Sequence, residues 1–211
     1  MVSVNNQSLQ PDLLGLMAAR NGHFQFESGH HGRLWLELDA LHLRSGSLQP
    51  FVADLAAKLS RYGIQGVCGP LTGGAFLAQM VAAVLEVEFY YAERFAPADR
   101  ETLYAVKYRI PPGLRKMLRG KNLAIVDDVI NAGSAVRGTL AEARACDANP
   151  MVVGALLVLG STASRFVAGQ NIPLESVAHL PNDLWPPEEC PLCASHTPLE
   201  DLTPEGPDRS S

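Results

Sequence analysis

The chain has 211 residues, a net charge of −5, 47% hydrophobic and 18% charged residues; this is enough for one domain with a real core, and the acidic balance argues against a general nucleic-acid binder. Its longest apolar run, near residues 151–159, is far short of the roughly 20 residues a helix needs to cross a bilayer, and residues 1–9 lack the basic start and apolar stretch of a signal peptide. Four cysteines are too few for a disulfide framework in a chain of this size, so a cytoplasmic protein with reduced thiols is expected, with neither nucleic acid nor membrane as partner.

Residues 9–20 place Leu13, Leu14, Leu16 and Met17 on one side of a short helix. The Gly-, His- and Ser-rich stretch 23–33 predicts a loop or hairpin. Leu34, Leu36 and Leu38 alternate with Trp35, Glu37 and Asp39, which predicts a strand over 34–39. Helical spacing runs over 47–62 through Leu48, Phe51, Val52, Leu55, Ala56 and Leu59, and Gly63 closes it. A buried strand is expected at 64–69, and Gly73 and Gly74 open a helix to about 85. Residues 87–95 and 103–110 are rich in aromatic and β-branched residues around a polar tip, 96–102, and predict a hairpin or arm. Pro111, Pro112 and Gly113 break the chain before a short basic helix to 119. Its cluster, Arg115, Lys116, Arg119 and Lys121, reads as a solvated face.

A buried strand follows at 122–129, then a helix at 133–146, a strand at 151–159, a helix at 162–170 and a strand at 175–180. This alternation of strand and helix predicts an α/β fold with a central parallel sheet covered on both faces by helices. Residues 1–181 read as a single domain. Residues 182–211 read as a Pro-rich tail with a C-x2-C pair, its last ten or so residues disordered.

The most informative stretch is Leu123-Ala124-Ile125-Val126-Asp127-Asp128-Val129-Ile130-Asn131-Ala132-Gly133-Ser134-Ala135. An apolar strand runs into two adjacent acids and then into a turn of small residues that opens a helix. Parallel sheets bind ligands at the carboxyl ends of their strands. Two carboxylates there can accept hydrogen bonds from vicinal sugar hydroxyls. The small side chains let backbone N–H groups and the helix dipole approach a phosphate. A second stretch, from Gly66 to Ala78, is again strand, glycine turn and helix, with Leu71-Thr72-Gly73-Gly74 at the turn. Such a turn can present its amides to an anion.

The thirteen-residue pattern resembles the signature of the type I phosphoribosyltransferases, which bind 5-phosphoribosyl-1-pyrophosphate (PRPP). The resemblance implies that Asp127 and Asp128 hold the ribose hydroxyls. It implies that Asn131, Ala132, Gly133, Ser134 and Ala135 wrap the 5′-phosphate, and that Leu71, Thr72, Gly73 and Gly74 form the pyrophosphate loop. Phe24-Gln25-Phe26-Glu27-Ser28-Gly29 and the turn Ile130–Arg137 are similar to the orotate group of that family, over roughly residues 20–160. The implied fold is Rossmann-like, with a small hood from about 1–46 and 171–181. The implied reaction joins a nucleobase, an orotate-like pyrimidine by preference, to PRPP and releases pyrophosphate, with Mg²⁺ carried on PRPP and a homodimer as the working unit. Cations of the 94–109 arm, Arg94, Arg100, Lys107 and Arg109, would close over the leaving group.

Three positions depart from the family pattern. The arm has no Lys-rich, Gly-rich run, and the pyrophosphate loop carries Thr72 where a basic residue is frequent. The strand after the signature ends in Gly160-Ser161 instead of Asp-Arg, with Arg165 the nearest cation. Rival readings are a PRPP-binding regulator without catalysis, or transfer to a different base. Cys190, Cys193 and His196 follow C-x2-C-x2-H spacing and supply three candidate zinc ligands, with a fourth from His30, His31 or a dimer mate. The favoured reading of that segment is a reduced surface turn. His30 and His31 are candidate ligand contacts or loop histidines.

Overall fold

A computed structural model describes residues 6–26, 29–95 and 107–201. The described residues open with α1 (Asn6–Leu16), which seats Leu13 in the core just ahead of buried Met17. The Gly- and His-rich stretch forms an antiparallel hairpin of β1 (Arg20–Gln25) and β2 (His31–Trp35). The strand expected at 34–39 therefore lies earlier and ends at Trp35. Trp35 pairs with Arg20, the first residue of β1, so the partner strand extends no further.

Helix α2 (Ser45–Leu59) buries Leu48, Phe51, Val52, Leu55, Ala56 and Leu59, the set its spacing predicts. A 3-10 turn follows, and Gly63 leaves it at φ 59°, a left-handed conformation that glycine adopts without a Cβ penalty. The sequence then alternates as expected. β3 (Gly66–Pro70) leads through residues 71–72 into α3 (Gly73–Leu85). β4 (Glu88–Phe95) and β5 (Lys107–Arg109) pair antiparallel, Arg94 opposite Tyr108, and form the base of the expected arm. Its tip lies outside the described residues. The basic helix is shorter than predicted, one turn of α4 (Pro112–Arg115). Arg115, Arg119 and Lys121 pair with Glu142, Asp147 and Glu88, as a solvated face would.

β6 (Asn122–Ile130), α5 (Ser134–Ala145), β7 (Asn149–Leu159), α6 (Thr162–Gly169) and β8 (Leu174–Leu180) complete the large sheet and its cover. The strand order is β5-β4-β3-β6-β7-β8. Every neighbouring pair is parallel except β4 with β5. Successive residues of β6 face opposite sides. Ala124 and Val126 join a core with α2 and α3, while Leu123 and Ile125 join one with α5 and α6. Leu59 of α2 is fully buried against Gly154 of β7. Leu59→Ala is expected to lower unfolding free energy by about 2–5 kcal/mol, read from the denaturant midpoint, because a close-packed site cannot collapse to fill the cavity.

From β3 the chain moves through α3 to β4 on one side. From β6 it moves through α5 and α6 to β7 and β8 on the other. The direction of winding reverses between β3 and β6, the place where open α/β sheets hold ligands.

The segment after Pro181 contributes β9 (Leu184–Trp185), α7 (Pro191–Ala194) and β10 (Glu200–Asp201). A second sheet has the order β10-β1-β2-β9. Its outer strands come from 184–201, whereas 171–181, expected in the hood, supplies the edge strand β8 of the large sheet. Trp35 packs between Phe24 and Phe26, and Arg33 lies over Trp185, so both tryptophans serve packing. The chain's last ten residues lie outside the described set.

Candidate active site

The two sequence motifs meet at the β3–β6 boundary. Gly73 and Gly74 open α3 directly after β3, and Asp127 and Asp128 stand near the carboxyl end of β6. A Cβ placed on Gly73 would lie 2.0 Å from Asp128 Oδ2, and one on Gly74 would lie 2.6 Å from Asp127 Oδ1. Gly69 of β3 is crowded by the start of α3, where an added Cβ would lie 2.0 Å from the Gly74 carbonyl oxygen. The glycines are therefore required by close approach, and only backbone separates the turn from the acids. The Leu71–Thr72 peptide bond is cis. The Leu71 amide donates to the Ala92 carbonyl at 2.8 Å, which ties the turn to β4.

Both aspartates are 9% exposed. The Asp128 amide donates to Asp127 Oδ1 at 3.2 Å, and the Val129 amide donates to Asp128 Oδ1 at 2.7 Å. Burial, and then the neighbouring Asp128 charge, push the Asp127 carboxyl well above the ordinary carboxylate range.

The small-residue turn stands next to this pair. Gly133, at φ 81°, precedes the first residue of α5. Asn131, Gly133 and Ala135 are half-buried, and Ala132 and Ser134 are exposed. Their amides thus sit at a helix N-terminus open to solvent, which suits an anion. Asn182 donates to Asn131 Oδ1 at 3.2 Å and ties this turn to the chain after β8. Beside it, Gly160, Ser161, His179, Pro181, Asn182 and Asp183 line a cavity of about 510 Å³.

Of the arm cations, Arg94 and Lys107 are exposed on β4 and β5, and Arg100 lies outside the described residues. Arg109 pairs with Glu93 at 3.5 Å and covers the Phe95 ring, so it serves the arm itself. Arg165 is exposed on α6. His196 is exposed as well, while Cys190 is buried and Cys193 half-buried.

Two residues at the site were missed by sequence reasoning. His42 Nε2 lies 3.6 Å from Asp128 Oδ2, and neither ring nitrogen has a hydrogen-bond partner among the described residues. Its ring also packs on Phe76. Tyr108 crowds Gly138 of α5. Burial holds its phenol above the ordinary range, Arg94 draws it down and Asp127 pushes it up. Neither residue stands in a motif, so only three-dimensional proximity reveals it.

Fold and site position define the class: a doubly wound α/β protein whose two motifs meet where the winding reverses, at the carboxyl ends of β3 and β6. The phosphoribosyl transferase domain model matches residues 47–170, more than half of the chain, and the chain belongs to that family. Orotate phosphoribosyltransferase from Thermotoga maritima is 27% identical over 189 residues, 87% of this chain and 90% of that relative. The structure of orotate phosphoribosyltransferase from Aeropyrum pernix aligns with a TM-score of 0.63 at 22% identity, over 83% of this chain and 93% of that one. Adenine phosphoribosyltransferase from Thermoanaerobacter pseudethanolicus aligns with a TM-score of 0.62 at 15% identity, over 81% and 100%. These two structures share the fold, and their nearly equal scores do not separate one base from the other. No described helix is long and apolar enough to cross a membrane.

Proposed function

We propose that this chain transfers the 5-phosphoribosyl group between PRPP and a nucleobase, an orotate-like pyrimidine by preference, with release of pyrophosphate. The observation that carries the proposal is the apposition of Gly73 and Asp128, closer than any side chain permits. It brings a glycine turn suited to an anion and a pair of acids suited to sugar hydroxyls side by side, the two kinds of group that a phosphorylated ribose with a second anionic group would need. The curated relatives of similar length carry the orotate name, which supports the preference for a pyrimidine.

In this reading Asp127 and Asp128 accept from the 2′ and 3′ hydroxyls and fix the ring. Asn131–Ala135 holds the 5′-phosphate through backbone amides and the Ser134 hydroxyl. Leu71–Gly74 faces the pyrophosphate. The base nitrogen forms its bond to the anomeric carbon as the bond to pyrophosphate oxygen breaks. The protein contributes position and charge rather than a covalent intermediate. Arg94 and Lys107 stand on the arm that would cover the departing anion, together with Arg100. Enzymes of this family generally use Mg²⁺ with PRPP. Paired carboxylate oxygens suit a hard cation that keeps part of its water shell, and such an ion offsets charge on pyrophosphate. A homodimer is part of the same proposal.

Pyrophosphate release from PRPP with Mg²⁺, measured with orotate, uracil, adenine and hypoxanthine, tests the reading. Release with orotate is the expected result, and the carboxylate partner is then sought at Arg165 or on the arm, since Gly160-Ser161 offers no cation. Release with another base alone overturns the pyrimidine preference. PRPP binding without release from any base replaces transfer by regulation.

A further inference from the structure

The β1–β2 hairpin and the α7 region of the small unit meet at a cluster of four potential metal ligands apart from the β3–β6 boundary. His23 of β1, His31 of β2, and Cys190 and Cys193 around α7 bring their ligand atoms within 4.8 Å of one another. His23, His31 and Cys190 are 2%, 5% and 3% exposed. The β1–β2 pairing shifts register between Asn21 and Phe24, and His23, within that irregularity, turns its ring to His31 across the hairpin.

The distances match a tetrahedron around one ion. His23 Nε2 lies 3.1 Å from His31 Nδ1, 3.5 Å from Cys190 Sγ and 3.7 Å from Cys193 Sγ. Cys193 Sγ lies 3.2 Å from His31 Nδ1. Zinc–nitrogen and zinc–sulfur bonds of ordinary length at tetrahedral angles require edges of about 3.3 Å between nitrogens and about 3.6 Å between nitrogen and sulfur. The outer nitrogen of His23 supports the same geometry. Nδ1 is 2.8 Å from the Thr197 carbonyl, so it carries the proton and leaves the Nε2 lone pair aimed at the cluster, the arrangement typical of a metal-bound histidine.

We infer that these four residues form a structural zinc site that fastens the 184–201 segment to the β1–β2 hairpin. Two thiols lose their protons to solvent on binding and two imidazoles bind neutral. The filled site thus carries no net charge, which a buried position requires. All four positions are taken by protein, so no place remains for a reacting water, and the site is structural rather than catalytic. The need is visible in the sheet: β9 and β10 are two residues each, too short to hold their places by backbone pairing alone. The C-x2-C pair was legible in the sequence and His31 was among its candidate fourth ligands, but His196 lies outside the cluster and His23 takes that place from β1.

Elemental analysis of the untagged, full-length protein tests the inference independently of catalysis. About one equivalent of zinc per chain is expected, retained in His196→Ala and lost in Cys190→Ser and in His31→Ala. Because those losses could reflect misfolding, the wild-type protein is also stripped with chelator and reloaded with Co²⁺. Tetrahedral d–d bands with a thiolate charge-transfer band at one equivalent support the site. Absence of stoichiometric zinc together with absence of that spectrum overturns it, as does a Cys190–Cys193 disulfide in freshly purified protein.

Discussion

Replacing Asp127 and Asp128 together by Asn is expected to abolish measurable PRPP binding while leaving the fold intact. Asn has nearly the shape of Asp, and its carbonyl oxygen can still accept from the Asp128 and Val129 amides. What disappears is the charged acceptor. Hydrogen bonds to a charged group contribute about 1.5–3 kcal/mol each, so losing two lowers affinity by roughly a hundredfold to ten-thousandfold. Isothermal titration with PRPP and Mg²⁺ reads the loss, and unchanged affinity would remove the acids from the site.

The single change Asp127→Asn separates function from stability. Burial raises the Asp127 pKa in the fold above its unfolded value. Ionising it therefore costs stability as pH rises from the ordinary carboxylate range through the raised folded value. Asn carries no such cost. Its stability advantage should be absent in acid, grow across that window and level off above it, as melting curves across pH would record. A variant that binds PRPP less well yet melts higher at neutral pH would show that the fold bears a cost for its site.

The second large effect is expected from Gly73→Ala. In an unconstrained helix this exchange would stabilise, because alanine loses less chain entropy than glycine. Here the new Cβ would stand 2.0 Å from a carboxylate oxygen of Asp128. Either the turn or the acid must move, and both belong to the proposed site. A shift near 1 Å can reduce turnover about a hundredfold, and overpacking costs about 1–3 kcal/mol in stability. Gly46→Ala is the control, since that glycine lies in the first turn of α2 with nothing within 4 Å. A loss in kcat/KM confined to Gly73→Ala supports the apposition, whereas equal behaviour of the two variants would remove close approach as its reason.

Much of this was legible in the chain because the signals are local. Gly73 and Gly74 mark the start of α3, Gly63 marks the end of the helical stretch, and the apolar run before Asp127 marks a buried strand. The signature carried the crevice, since one strand and its turn hold most of the parts. The remainder depends on pairs distant in sequence. Nothing around His42 distinguishes it from any loop histidine, and its importance comes from the fold bringing it to Asp128. The strand expected at 34–39 had the right alternation, but a strand needs an edge to pair with, and β1 provides one only as far as Trp35. Cys190 and Cys193 announced a ligand pair with His31 among the candidates to complete it, while His23, 167 positions from Cys190, carried no local signal.

The order β10-β1-β2-β9 also has a consequence for synthesis. The hairpin leaves the ribosome early, and the strands that flank it leave late. At about 5–20 residues per second the interval is on the order of ten seconds. Throughout it both hairpin edges present unpaired backbone groups, a template on which chains pair with one another. The large sheet has its strands in hand before the small one can close. A chain cut after Pro181 would keep the large sheet and hold the hairpin permanently in that half-made state, with its two edges available to a neighbour.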